Sequence, residues 1–244
     1  MRNEDGKDVA WRSIEDEFPL GNEPAFRSEH ALPIPNGHLR EAASMSDIGC
    51  WYAIGEAWAQ IVVRFCPPDP TVLDIGCGSG KLARLLYLHP TLRYVGVDVF
   101  RPSILWCQSN FAGLAGDRFR FVHYDGTSQV YNPTGTIRPK EYRLPLGDQE
   151  ADMTVCASLF THLLHDDAVH FLEEIHRVSK VGGRALISIH DEPAEGERFS
   201  GEEARIDIDR EYFIGMASAA GLQLHSEVGN VYGQSLFLFE RSSG

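Results

Sequence analysis

The sequence predicts an α/β protein built on a doubly wound, mostly parallel sheet. Three observations predict it. From Ser46 onward, short apolar runs alternate with stretches whose apolar residues recur at three- and four-residue steps, the pattern of strands alternating with helices. The first apolar run ends in a glycine cluster, Asp74-Ile75-Gly76-Cys77-Gly78-Ser79-Gly80, which suits a tight strand-to-helix turn. The last two apolar runs face each other across Gly229-Asn230 and should pair as a hairpin, adding an antiparallel strand at one side.

The elements follow in order. Residues 1–45 are polar, contain proline and show weak periodicity. They read as an arm with one short helix, either a disordered tail or a flap over a pocket. Trp11, Ile14, Phe18 and Phe26 argue for the flap, because a solvated tail has no use for large apolar side chains. The folded domain is placed at 46–244. Ile48, Trp51, Tyr52, Trp58, Ile61, Val62 and Phe65 share one face of a helix that Pro67-Pro68 stops. Val72, Leu73 and Ile75 in TVLDIG suit a buried parallel strand. Leu82, Leu85 and Leu86 then mark a helix. RYVGVDV (93–99) reads as a strand, and 102–113 as a helix opened by Pro102. FRFVHYD (119–125) and DMTVCASL (152–159) read as strands. Residues 166–180 form a helix with Phe171, Leu172, Ile175 and Val178 inward, Asp166 as N-cap and Gly182-Gly183 as the stop. RALISIH (184–190) is a strand. A helix at 210–220 ends at Gly221, and LQLHSEV and YGQSLFLFE close the chain. Two polar stretches, 126–148 and 191–210, exceed what such connections need and read as insertions.

Composition narrows the function classes. The chain has 244 residues, 43% apolar and 23% charged, which excludes disorder over most of its length. A formal charge of −13 argues against a nucleic-acid or anionic-membrane partner, because phosphate binding needs clustered Lys and Arg, although a basic pocket stays open. No apolar run approaches the length of about 18 residues that a spanning helix needs. The first residues are charged and lack an apolar core, so no secretory signal is expected. The five cysteines are widely spaced with no CxxC pair, which predicts reduced thiols in a cytoplasm and neither a disulfide frame nor a zinc site.

In a doubly wound sheet the ligand sits at the carboxyl ends of the strands. The glycine turn lets a ligand approach the backbone, and the helix after it would favour a small anion. A dinucleotide fold would want a glycine at position 81, where this chain has lysine. Asp98 ends the second strand, 22 residues after Gly76, and a carboxylate there can accept from both hydroxyls of a ribose. Asp125 ends the third and can accept from an exocyclic amine such as that of adenine. Each feature alone also fits a turn or a cap. Together, on three consecutive strand ends, they describe an adenosine with a small anionic appendage.

At these residues the chain resembles the class I S-adenosylmethionine-dependent methyltransferases. VLDIGCGSGKLARLL is similar to their glycine motif, YVGVDV to their ribose-binding strand and FVHYDG to their adenine-binding strand. DMTVCASLFTHLL with HRVSKVGGRALIS is similar to their fourth strand, following helix and fifth strand. The resemblance covers about residues 46–240. It implies a seven-stranded sheet with the last strand reversed. It implies S-adenosyl-L-methionine as cofactor, with Gly76, Cys77 and Gly78 along its methionine and ribose portions. Asp98 would hold the ribose, Val99 would lie beside the adenine, and Asp125 and Gly126 would meet the adenine. Ser158 would lie near the methionine end, and Asp74 would orient the loop or the amino group. The first insertion resembles that of a bacterial subgroup associated with glycan or natural-product modification. It implies a substrate lid containing Tyr131, Asn132, Arg138 and Tyr142.

A hydroxyl acceptor must lose its proton during methyl transfer. The candidate bases are His162, after the fourth strand, and His190, at the end of the fifth. His165, His170 and His176 lie on or beside the following helix, where spacing favours packing or solvated roles. Asp166-Asp167 and His190-Asp191-Glu192 offer metal donors, but adjacent carboxylates at a helix start are more often caps, so no metal is assigned. There is no GxSxG, and Cys77 lies inside the cofactor turn, so hydrolase and thiol-nucleophile readings have no support. The leading expectation is methyl transfer to a small molecule, foremost to oxygen of a sugar or glycan precursor, with S-adenosyl-L-homocysteine as product. An N- or O-methylated secondary metabolite is the nearest alternative. A nicotinamide oxidoreductase and a cofactor-binding module without catalysis are the rivals from other classes.

Overall fold

A computed structural model describes residues 33–42 and 47–242 of the chain. The elements are α1 (Gly37–Glu41), α2 (Ile48–Phe65), β1 (Thr71–Ile75), α3 (Lys81–Leu86), β2 (Arg93–Asp98), α4 (Arg101–Ala115), β3 (Phe119–His123), β4 (Ala151–Cys156), α5 (His165–Val178), β5 (Ser179–Ile189), β6 (Phe199–Glu202), β7 (Arg205–Ile208), α6 (Arg210–Ala219), β8 (Leu222–Val231) and β9 (Gln234–Arg241). The expected arm or flap at 1–45 falls largely outside the described residues. Within them it contributes α1, opened by Asn36, whose side chain accepts from the Leu39 amide.

One sheet runs in the order β3-β2-β1-β4-β5-β9-β8. β1 pairs in parallel with β2 and β4, β2 with β3, and β4 with β5. β9 is antiparallel to both neighbours. This is the seven-stranded, mostly parallel sheet with a reversed last strand that the sequence predicts. Strand order reverses between β1 and β4, so the loops after these two strands diverge and open a crevice at the carboxyl edge.

Strand alternation divides the core into two layers. Leu73, Ile75, Phe237 and Phe239 pack with Phe171, Leu172 and Ile175 of α5 and Phe213 of α6. Their sequence neighbours Val72, Leu236 and Leu238 pack on the other face with Trp58 and Val62 of α2, Leu82 and Leu86 of α3, and Phe111 of α4. A period of two in the strands thus meets a period of about 3.6 in the helices on both faces. Among the described residues no helix is long and apolar enough to cross a membrane.

The boundaries differ from the sequence reading in instructive places. β2, β3 and β4 stop at Asp98, His123 and Cys156, so Val99, Asp125 and Ser158 belong to loops. α5 begins at His165 with Leu164 at the cap position. Asp166 is therefore in the first turn with Asp167, where the helix dipole favours a carboxylate without a capping bond. Gly182-Gly183 does not stop α5; both lie inside β5, and the helix ends where Ser179 turns extended and its hydroxyl donates to the Ile175 carbonyl at 2.7 Å. The terminal hairpin turns at Tyr232-Gly233, not at Gly229-Asn230. Both turn residues have positive φ, 55° and 75°, the mirror-image turn that matches strand twist. Gly229 instead marks a shift of register inside β8. The polar insertion at 191–210 contains its own antiparallel pair, β6 and β7.

Phe213 sits where α6 meets the sheet, fully buried and edge-on to Phe160 and Phe239. Phe213→Ala should destabilise the protein by about 3–5 kcal/mol, since deletion leaves a cavity among rings that cannot close over it. Urea denaturation checks this. A loss under about 1 kcal/mol would mean that α6 is not held by this contact.

Candidate active site

The glycine turn is pinned to the end of β2. The Val97 carbonyl accepts from the Gly76 amide at 2.8 Å and the Cys77 amide at 3.1 Å. Asp98 adds the third tie, its Oδ2 accepting from the Gly78 amide at 2.7 Å. Its Oδ1 accepts from the Phe100 amide, also at 2.7 Å. The half-buried carboxylate therefore joins the two loops that flank the crevice. Burial pushes its pKa up, while these amides pull the other way.

This geometry changes the expected chemistry of the turn. Its amides are largely used by the protein, with Gly80 donating to the Cys77 carbonyl at 3.1 Å. α3 is only six residues long, so it adds little dipole. The turn offers space in place of donors. Gly76, Gly78 and Gly80 all have positive φ, at 82°, 52° and 77°. A Cβ built on Gly78 meets no atom within 4 Å. That open cradle, bordered by the Asp98 carboxylate with lone pairs left over, fits the ribose and tail of an adenosine cofactor. Bound S-adenosylmethionine would supply a methyl group on a positively charged sulfur.

The other expected site residues fall into three groups. Val99 lies beside the crevice, with its carbonyl 3.1 Å from His123 Nε2. Cys77 is buried, its thiol turned to the Gly78 carbonyl at 3.6 Å, and burial drives its pKa well up, so it packs as a small apolar group. Asp74 is buried beneath the turn and accepts from the Tyr94 hydroxyl at 2.5 Å. Burial raises its carboxyl to about 7, with the Tyr94 hydrogen bond opposing. Nearby Lys81 is pushed down to about 8 by burial, against the Asp74 charge. Asp74 thus supports the turn from below.

Asp125 and Gly126, expected to meet the adenine, are built into the base of the first insertion. Both Asp125 oxygens hold the first insertion, Oδ1 accepting from Asn132 Nδ2 at 3.2 Å and Oδ2 from the Thr136 hydroxyl at 2.6 Å. A Cβ on Gly126 would strike the Tyr124 ring at 2.3 Å, so glycine is needed there for packing. Tyr124 in turn stacks on Tyr142 with centroids 3.6 Å apart.

On the far side of the crevice, Ser158 follows β4 in a left-handed conformation, φ 62°. Such strain persists only when its surroundings over-determine it. The Ser158 amide donates to Ser188 Oγ at 2.9 Å, and Gln234 Nε2 donates to Ser158 Oγ at 2.7 Å. Gln234 Oε1 accepts from Ser188 Oγ at 2.7 Å. Three strands, β4, β5 and β9, are knotted together here by residues that the sequence reading missed; Gln234 sits in a strand pattern that carries no motif.

The two candidate bases are not equivalent. His162 is half-buried, with Nδ1 2.7 Å from the Glu203 carbonyl and Nε2 3.3 Å from the Tyr131 hydroxyl. Burial holds its pKa below the usual 6.5, with the Glu203 contact opposing and a charge on His190 adding to the fall. His190 contributes its backbone, whose carbonyl accepts from the Ile208 amide at 2.8 Å. Glu203, in the turn between β6 and β7, is the second residue that sequence reasoning missed. His165, His170 and His176 have the solvated or packing roles expected, His165 being exposed. His165 Nε2 lies 2.9 Å from the Tyr212 hydroxyl, and His170 Nε2 lies 2.7 Å from the Tyr142 carbonyl. His176 packs against Gly221, where a Cβ would meet its ring at 2.8 Å. Of the candidate metal donors, Asp191 is held by Arg210 at 2.8 Å and Ser235 at 2.9 Å, and Asp166 faces Lys140 at 3.8 Å. No group of three or more metal-binding side chains gathers among the described residues.

Residues 73–187 match the family profile described as "Methyltransferase domain". The chain is 29% identical over 138 residues to a small RNA 2'-O-methyltransferase of Rattus norvegicus, covering 49% of this chain and 34% of that protein. It is 36% identical over 75 residues to a malonyl-[acyl-carrier protein] O-methyltransferase of Magnetococcus marinus, covering 30% of this chain and 27% of that one. The chain thus spans about a third of the length of these curated relatives. The structure superposes on a Burkholderia thailandensis 1,6-didemethyltoxoflavin-N1-methyltransferase with bound S-adenosylhomocysteine, at a TM-score of 0.57 and 19% identity, covering 86% of this chain and 92% of that one. That likeness shows a shared fold.

Two outcomes follow from the turn. Asp98→Ala should weaken S-adenosylhomocysteine binding by roughly 10–150-fold, the cost of about 1.5–3 kcal/mol for hydrogen bonds to a charged group. Unchanged affinity by calorimetric titration would remove Asp98 from the ribose. Gly78→Val should weaken binding further while the protein stays folded by circular dichroism, because its side chain enters the open cradle and resists the φ of 52°. A folded, normally binding variant would show that the turn does not touch the cofactor.

Proposed function

We propose that this chain, which carries a class I S-adenosylmethionine-dependent methyltransferase domain, transfers methyl groups to a hydroxyl of a small molecule, foremost a sugar or glycan precursor. One observation carries the choice of oxygen. His162 Nδ1 faces a carbonyl, which can only accept. The ring therefore donates from Nδ1, and in its neutral form the lone pair is on Nε2, beside the crevice. A neutral amine acceptor needs no such group; a hydroxyl does.

In this reading Gly76, Cys77 and Gly78 shape the space for the methionine and ribose portions, and Asp98 accepts from the ribose. Val99 borders the adenine. Asp125 and Gly126 shape that side by anchoring the insertion, and Ser158 borders the methionine end. His162 takes the acceptor's proton, and the electrostatic influence of His190 opposes protonation of its ring. The first insertion covers the acceptor, so water is kept away from the reacting centre. Both curated relatives are named for O-methylation, which supports oxygen as the atom. One of them acts on small RNA by its name. Here the charge of −13 favours a small acceptor over a phosphate polymer. Buried free Cys77, Cys107 and Cys156 suit a reducing cytoplasm.

A screen with radiolabelled S-adenosylmethionine tests the reading, using sugars and phenols, amines, and a short RNA as separate acceptor sets. Label in the hydroxyl set is expected. Label confined to amines or RNA overturns the proposal, and S-adenosylhomocysteine binding without any turnover would favour a non-catalytic module.

On a hydroxyl acceptor, His162→Ala should lower kcat by about 10²–10⁴-fold and change cofactor affinity only a few-fold. The wild-type rate should hold down to a pH below the usual histidine range and then fall, because burial lowers the His162 pKa and only the neutral ring accepts. A variant that keeps its kcat would transfer the role to His190 or to an acceptor needing no base.

A further inference from the structure

We propose that Tyr131 links the acceptor hydroxyl to His162 as a proton relay, and that Glu203 is the residue that positions both. This rests on the reading of His162 as base and adds a second group to it.

The hydrogen-bond directions are set by the partners. Since Nδ1 donates to the Glu203 carbonyl, Nε2 of the neutral ring is an acceptor. Tyr131 Oη lies 3.3 Å from it, with the two rings edge-on at 88°. The phenol is the donor in that pair. Its oxygen keeps lone pairs that can accept a proton from another hydroxyl. Burial raises the Tyr131 pKa, and the negative charge of Asp98 raises it further, so the phenol stays protonated. The charged and titratable groups facing His162 are Tyr131 from the first insertion, Glu203 from the β6–β7 turn and His190 from the end of β5.

Glu203 acts on both partners from two different atoms. Its carbonyl holds the imidazole. Its Oε2 accepts from the Gln129 amide at 2.6 Å and from Ser128 Oγ at 3.2 Å. Ser128 Oγ in turn accepts from the Tyr131 amide at 3.2 Å, and the Ser128–Asn132 backbone pair closes a tight loop around Tyr131. A tyrosine fixed this closely at a base is built to stay in place while a proton passes.

The step balances as follows. The acceptor's O–H bond breaks and its proton moves to Tyr131 Oη as the Tyr131 proton moves to His162 Nε2. The acceptor oxygen forms its bond to the methyl carbon as the carbon–sulfur bond breaks, and that electron pair stays on sulfur. The sulfonium charge is discharged, and the positive charge ends on the imidazolium.

The test uses the full chain with S-adenosylhomocysteine. Nitrogen-15 NMR of the His162 ring should show hydrogen on Nδ1 and none on Nε2. Tyr131→Phe should raise the pH at which the ring protonates, because the neutral form loses its donor. Glu203→Ala keeps the backbone carbonyl but releases the Tyr131 loop; because it also removes a negative charge that raises the pKa of the ring, it is read by kcat, which should fall as in Tyr131→Phe. On a phenol or sugar that the wild type methylates, Tyr131→Phe should lower kcat by at least about tenfold with little change in KM. Hydrogen on Nε2, an unmoved titration in Tyr131→Phe, or a full kcat with a lower KM overturns the relay; the last would make Tyr131 a side chain that the acceptor displaces. Calorimetry on the same samples separates the two levels. Binding of S-adenosylhomocysteine with any of these results sinks the relay alone, whereas no binding sinks the methyltransferase reading and the relay with it.

Discussion

The carboxyl edge of the sheet is organised by one carboxylate. Asp98 accepts from the Gly78 amide with one oxygen and from the Phe100 amide with the other. A half-buried carboxylate without such donors would be costly; with two charge-assisted bonds it becomes a staple between the turn after β1 and the turn after β2. The Val97 carbonyl, one residue earlier, takes two more amides from the same turn. The glycine turn is therefore held open by the strand beside it and not by its own helix. In the proposed reading the residue that accepts from the ribose is also the one that keeps the cradle in shape, so cofactor binding and loop geometry would share a single group.

Much of the fold was legible in the sequence because its signals are local. Apolar runs such as TVLDI and RYVGVD are buried on both faces and need no partner to be recognised as strands. Boundaries failed where tertiary pairing overrides local chemistry. Gly229-Asn230 has the composition of a hairpin turn, yet β9 pairs with β8 as far as Val231, which moves the reversal to Tyr232-Gly233. β6 and β7 are four residues each, partly exposed, and visible only through their pairing. The site divides in the same way. Gly78, Asp98 and His162 stand at strand ends with recognisable neighbours. Gln234 and Glu203 act across 76 and 41 residues of chain, on Ser158 and His162, and their types and spacing carry no sign of it.

The two sides of the crevice are fixed by unlike means. On the β1–β2 side, backbone amides meet a carboxylate and a carbonyl. On the β4–β5 side, neutral side chains Ser158, Ser188 and Gln234 satisfy one another and hold Ser158 at φ 62°. A fully satisfied neutral network is rigid without carrying charge. The Asp98 carboxylate stands on the opposite side of the crevice, where the resemblance puts the ribose.

The acidic surface might be expected to keep His162 protonated, since negative charge favours a cation. Distance decides against that. Exposed charges more than about 8–10 Å away are screened at physiological salt, so the net charge of −13 acts weakly on a half-buried ring. What acts strongly is loss of water around the imidazole, which lowers its pKa and is the largest influence on it. The first insertion is part of the wall that excludes that water, and Tyr131 lies within it. Order in the insertion is maintained from both ends by acids, Asp125 through Asn132 and Thr136, and Glu203 through Ser128 and Gln129. These carboxylates hold the insertion in place over the ring; the Glu203 charge itself pulls the pKa of the ring up, but by less than burial pushes it down. Glu203 thus acts on the imidazole in two opposed ways, by its charge and by its hold on the insertion, and loss of water is the larger influence on the ring.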